Sequence, residues 1–233
     1  MPEGLQVFND SGFIQIDANY LNLELKQRGS FNLAGSNTAN GGSTSSGLSV
    51  TVNGESPVIA IQSTTFCCAY PLSQNGNSFT FYIYNGDNQA CSGEYFVFDN
   101  SSADQASDSG FQVFNPQGRL VFDAGKKYLR VLDYWQVDDN PGESISRDYP
   151  GKSVAVVMCD FGYRYVVAPS PADPTNPNYA FLQSWLNCSK TQGSKLLIGD
   201  RATYTNAFAQ KDPGMVTTSE YPSRWLVVDV TNY

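Results

Sequence analysis

The sequence predicts an all-β protein made of two antiparallel β-sandwich-like domains, residues 1–106 and 107–233, each opening with a related β-hairpin. Three observations predict it. The first is a repeated stretch. GLQVFNDSGFIQID at Gly4–Asp17 returns as GFQVFNPQGRLVFD at Gly110–Asp123, an offset of 106 residues with seven of fourteen positions identical. That offset is too long for a solenoid repeat and about right for one small domain. The second is composition: aromatics reach 13%, charged residues only 15%, and Gly, Ser, Asn and Thr crowd between short apolar runs. That is the balance of a turn-rich β protein. The third is spacing. Short alternating runs recur between turn signals at sandwich-like intervals.

Each hairpin follows from its residues. Val7-Phe8 and Ile14-Gln15-Ile16 are β-prone, and Asn9 with Gly12 has the composition of a tight turn. In the second copy, Pro116 suits the position after Asn115 in a type I turn. Leu21, Leu23 and Leu25 then alternate with Asn22, Glu24 and Lys26, which predicts a strand with a polar outer face. Arg28-Gly29-Ser30 reads as a turn into Phe31-Asn32-Leu33. Residues 34–47 are small and polar, a surface loop expected to order only against a neighbour. Strands are expected at Leu48–Val52, Pro57–Gln62, Thr64–Ala69, Ser78–Tyr84 and Tyr95–Asp99. Ser101–Ser109 is polar and acidic, and the domain boundary is placed there.

The second half repeats the plan. Tyr128–Trp135, Ser153–Cys159 and Tyr163–Ala168 read as strands, with an acidic loop at Asp138–Glu143. Four prolines make 169–177 an extended loop. Tyr179–Leu186 fits a short helix as well as a strand. Lys195–Gly199, Ala202–Phe208 and Arg224–Val230 are expected strands.

Several function classes are excluded or disfavoured. A net charge of −8 opposes nucleic-acid binding, which needs a basic face. No run is long and apolar enough for a membrane span, and the N-terminal residues lack the layout of a secretory signal, so synthesis in a cytoplasm is expected. There is no histidine, so no Ser-His-Asp or Cys-His pair can form. No catalytic residue, metal ligand or cofactor is assigned. Asp138, Asp139, Glu143, Asp148 and Asp160 are the acidic candidates; a solvated loop is the plainer reading, and oxygen ligands around Gly142 are of the kind calcium takes. Five cysteines, Cys67, Cys68, Cys91, Cys159 and Cys188, read as buried thiols, with a Cys159–Cys188 bridge as the alternative. The aromatic surplus supplies the interface or receptor candidates Tyr84, Tyr134, Trp135, Tyr149, Tyr179 and Trp185, since Tyr and Trp anchor interfaces and sugar sites.

The two hairpin motifs, the run Tyr128-Leu129-Arg130-Val131 and the ending Leu226-Val227-Val228-Asp229-Val230 together resemble a family of tailed-bacteriophage proteins encoded near tail-tip and tail-fibre genes. The likeness covers about a fifth of the chain. It implies a virion component of the distal tail, made in the host bacterial cytoplasm and working in structure or host attachment. It implies other tail proteins as partners and a homo-oligomer, with a trimer favoured. A receptor-binding module for host glycan or an outer-membrane protein is the alternative; a glycan-degrading enzyme is a third.

Overall fold

The structure, a computed structural model, describes residues 5–17, 22–35, 46–100, 107–108, 110–137, 144–169, 179–209 and 217–233. For 165, 168–169, 179–182, 202–209 and 217–220 the backbone alone is described. The described residues are all-β. The strands are β1 (Gln6–Phe8), β2 (Ile14–Asp17), β3 (Leu23–Leu33), β4 (Gly47–Asn53), β5 (Val58–Ser63), β6 (Cys67–Asn75), β7 (Ser78–Asn85) and β8 (Cys91–Asn100). They continue as β9 (Gln112–Phe114), β10 (Leu120–Asp123), β11 (Val131–Val137), β12 (Ser144–Asp148) and β13 (Val154–Asp160). The last are β14 (Tyr163–Pro169), β15 (Tyr179–Gln192), β16 (Lys195–Ala209), β17 (Thr217–Tyr221) and β18 (Ser223–Asp229).

Both copies of the motif form the expected hairpin, and the repeated residues explain why. Gln6 pairs with Asp17 across the strands, and Gln6 Nε2 donates to the Asp17 carboxylate at 2.9 Å. Gln112 and Asp123 repeat the pair at 3.3 Å. The Asn9 side-chain carbonyl accepts from the N–H groups of Ser11 (3.1 Å) and Phe13 (2.9 Å). Asn115 does the same for Gln117 (3.1 Å) and Arg119 (2.8 Å). Gly12 and Gly118 sit at φ of +82° and +76°, where an L side chain is strained. A Cβ at either glycine would meet nothing within 4 Å, so the strain there is in the backbone alone. Gly12→Val and Gly118→Val are each expected to lower stability by about 1–2 kcal/mol, read by urea unfolding. Unchanged midpoints in both would show that the turn tolerates either residue.

The remaining strands build two sheets. One has six strands in the order β11-β18-β13-β5-β8-β3. The other has eight, with the path β12-β16-β15-β6-β7-β4, β14 joined to β15 and β17 joined to β14. Both orders read as palindromes about their middle. β3, β5 and β8 of the first half occupy one side of the first sheet, and β11, β13 and β18 take the matching places on the other. β4, β6 and β7 match β12, β15 and β16 in the same way. The halves meet antiparallel at β5–β13 (Ile61 opposite Val156) and β6–β15 (Cys67 opposite Ser189). An antiparallel contact between equivalent strands is what a two-fold axis produces. A third contact obeys it. Leu129 N–H donates to the Leu23 carbonyl at 2.8 Å, and these two residues are separated by the motif offset of 106.

The halves therefore share a core where two domains were expected. Ile59, Ile61 and Val97 pack with Val154, Val156, Trp225 and Val227 between the sheets, against Ile83, Leu186, Leu196 and Ile198. Each β5 residue alternates, so Val58 and Ala60 face the other way. That outer face also carries Phe96, Phe98, Ala155 and Val228, with Leu129, Val131 and Tyr233 packed over it.

Other local expectations change for identifiable reasons. Arg28-Gly29-Ser30 is not a turn but the middle of β3. A Cβ at Gly29 would lie 2.5 Å from the Tyr95 ring, so the glycine makes room for an aromatic crossing the strand. Glu24 is buried instead of outward, because residues 127–129 pair along that side of β3. Lys26 and Lys126 each reach its carboxylate at 3.0 Å. Tyr179–Leu186 is strand, held by β14 on one edge and β16 on the other. The two expected strands at 195–208 are one, β16. Residues 36–45, 101–106, 138–143 and 170–178, where loops and the boundary were expected, lie largely or wholly outside the described residues.

Candidate functional site

The hairpins place large apolar side chains in water at equivalent positions. Phe8 and Phe114 are 53% and 51% exposed. Leu5 and Phe111, again equivalent, are 39% and 55% exposed. Phe8 lies opposite Ile14 across the β1–β2 ladder, and Ile14 is exposed too, so the first hairpin carries a continuous apolar face. In the second hairpin Leu120, the counterpart of Ile14, is buried. Phe111 packs on Phe122, which stacks on Tyr128 with ring centroids 4.8 Å apart.

Each hairpin is tied to the opposite half. Asn9 Nδ2 and Gln15 Nε2 both donate to the Val131 carbonyl, at 2.8 and 3.1 Å. Asn22 Nδ2 donates to the Val121 carbonyl at 2.6 Å. The exposed phenylalanines thus stand on a cross-braced base. A single exposed apolar residue is ordinary, but two equivalent positions exposed in both hairpins, Leu5/Phe111 and Phe8/Phe114, mark a contact surface.

Three of the sequence candidates do gather, around Asp133 on β11. The Asp133 carboxylate accepts from Trp135 Nε1 (3.0 Å) and Tyr149 Oη (2.8 Å), and it pairs with Arg147. The Arg147 guanidinium stands 5.4 Å from the Trp135 ring centroid. Burial pushes the Asp133 carboxyl up, but donation from Tyr149, Trp135 and the Tyr134 N–H, with Arg147 nearby, leaves it below the usual carboxylate range. Burial and the Asp133 hydrogen bond push the Tyr149 phenol up. Alternation then sorts the aromatics. Trp135 faces the core, Tyr149 is partly buried, and Tyr134 points to solvent.

The other candidates lie elsewhere. Tyr84 is buried in the shared core, so it cannot serve as a surface anchor as placed. Trp185 sits on β15 opposite Arg164, whose guanidinium is 4.0 Å from its ring centroid. Tyr179 begins β15, and its side chain is outside the described residues. Phe8, Phe111 and Phe114 were not among the candidates. The signal that could have found them is the repeat itself, since an aromatic recurs at the position next to each turn.

Of the acidic candidates, Asp160 pairs with Arg224 at 2.6 Å and Asp148 lies on exposed β12, while 138–143 is outside the described residues. Cys188 is fully buried and Cys159 exposed, and all five cysteines are free, so the Cys159–Cys188 alternative is not the arrangement found. No protein-family model matches the chain, and no curated protein or solved structure matches it.

Proposed function

We propose that the chain is a structural and adhesion component of a bacteriophage tail tip or tail fibre, acting in virion assembly and host attachment. The observation that carries this is the pair of related hairpins presenting Phe8 and Phe114, Leu5 and Phe111 to solvent. Exposed aromatics on a braced support are the anchors from which protein interfaces are built. Other tail proteins are the proposed partners, and a homotrimer is the proposed assembled state. A receptor-binding role is the second reading, favoured by exposed Tyr134 beside the Asp133–Arg147 pair, since an aromatic face flanked by polar groups suits a sugar ring.

The test uses Phe8→Ser with Phe114→Ser in one chain. Both side chains are in water, so stability is expected to stay within about 0.5 kcal/mol. Light scattering should show the wild type as an oligomer and the variant as a monomer, and the variant should be missing from purified virions. A wild-type monomer at micromolar concentration, together with virions that lack the wild-type chain, would sink the proposal.

A further inference from the structure

Four of the five cysteines are buried, and they meet in two pairs, Cys68 with Cys188 and Cys67 with Cys91. Cys67 begins β6 in the eight-stranded sheet, and Cys91 begins β8 in the six-stranded sheet. Their sulfurs lie 3.1 Å apart in the shared core. No strand ladder joins them: β6 pairs with β7 and β15, β8 with β3 and β5. The contact is therefore made by the packing of one sheet on the other.

We propose that Cys67 and Cys91 are an oxidation site, closing to a disulfide that clamps the two sheets together. Forming the bond moves each sulfur by roughly half an ångström, to a separation of about 2 Å. Ser63, Thr64, Ser92, Gly93 and Thr191 line a cleft of about 420 Å³ open to solvent at the start of β8, but both sulfurs are buried behind it, so a small oxidant such as peroxide reaches them only as this strand end opens. The two thiols are also unlike. Hydrogen bonding from Cys67 lowers the Cys91 thiol against the effect of burial, while the same bond and burial push Cys67 up. Cys91 is therefore the thiol favoured as the attacking sulfur, with Cys67 as the one that resolves it.

With hydrogen peroxide as oxidant the chemistry balances. The Cys91 thiolate attacks one peroxide oxygen, the O–O bond breaks, and the departing hydroxide takes a proton to become water. Cys91 is left as a sulfenic acid. The Cys67 sulfur attacks that sulfur, the S–O bond breaks, and the leaving hydroxide carries off the Cys67 proton as a second water. Two thiols lose two electrons and two protons, and one peroxide becomes two waters. The new bond spans a sequence separation of 24 residues, which restricts the unfolded chain and raises stability.

The full-length protein is reduced, treated with hydrogen peroxide while folded, alkylated and digested without reductant. A peptide linking Cys67 to Cys91 is expected, located by fragment ions because Cys68 is adjacent. Oxidation should raise the unfolding midpoint by several degrees, and dithiothreitol should reverse the rise. Cys91→Ser should abolish both the link and the rise, whereas Cys159→Ser, at an exposed thiol, should keep both. Should Cys91→Ser fail to fold, the wild-type peptide map and the Cys159→Ser protein decide the matter. The proposal is overturned if both Cys67 and Cys91 are recovered alkylated, or if either is linked elsewhere. One such outcome is a Cys68–Cys188 bond across the seam, where the antiparallel register sets those residues opposite each other. None of these readouts depends on the proposed place in a virion.

Discussion

Trp225→Ala is expected to cost about 3–5 kcal/mol, a large share of the roughly 5–15 kcal/mol that holds a typical domain folded. Trp225 is fully buried on β18, with Trp135 of β11 opposite on one side and Met158 of β13 on the other. It fills the core where three neighbouring strands meet. Its indole N–H donates to Ser223 Oγ at 2.8 Å, and that oxygen also receives Asn187 Nδ2 of the facing sheet at 3.0 Å. Removing the ring leaves a cavity and a buried serine short of one donor, so transfer, cavity and hydrogen-bond terms add. Trp225→Phe retains most of the volume and should cost less. Urea unfolding with an unchanged slope would give both values. A loss below about 1 kcal/mol for the alanine variant would mean that the core collapses around the gap far better than close-packed interiors do.

Asp123→Ala is expected to release the second hairpin at a cost of about 2–3 kcal/mol. The carboxylate is wholly buried and accepts from Ser107 N–H and Oγ (both 2.6 Å), Gly125 N–H (2.8 Å) and Gln112 Nε2 (3.3 Å). Donation from Ser107 is the main reason its pKa is held down to about 2 against the effect of burial, with Gly125 and Gln112 adding to it. The sign of the pH effect follows. A carboxyl whose folded pKa lies below its unfolded value, about 3.9, stabilises the fold above that value. The contribution is lost as pH falls from about 4 through 2. Wild-type protein should lose stability across that window more steeply than Asp123→Asn, measured as unfolding midpoint against pH. Parallel curves would show that the carboxylate is not ionised and bonded as described.

The hairpins were legible because their parts are local. Asn9 with Gly12, and Gln6 with Asp17, specify a turn and its flanking pair within fourteen residues, and the second copy repeats both. That 57–62 is a strand was legible for the same reason, since its apolar residues are consecutive. What joins the halves was not. Ile61 and Val156 meet across 95 positions, and nothing near either residue announces the other. The single boundary expected at 101–109 followed from reading composition along the chain, where the sheets are organised across it. Tyr84 was expected at the surface, yet Ile83, Tyr84 and Asn85 are consecutively buried. Both faces of β7 are covered there, which a period-two pattern does not foretell. Phe8 and Phe114 were hidden by the opposite effect. An apolar residue in a short strand reads as core, and exposure depends on what the rest of the chain leaves uncovered.

The palindromic strand order gives the chain the character of a homodimer whose subunits have been joined end to end. In a dimer of separate chains, holding the seam at β5–β13 and β6–β15 would depend on concentration and would fail on dilution. Here each half carries its partner at a fixed effective concentration. The tether also removes the rule that both subunits stay identical. The second half carries β14 beside β15 and β17 beside β14, and the first has no counterpart among the described residues. One half keeps the minimal scaffold, and the other has used the freedom of a covalent pair to build outward.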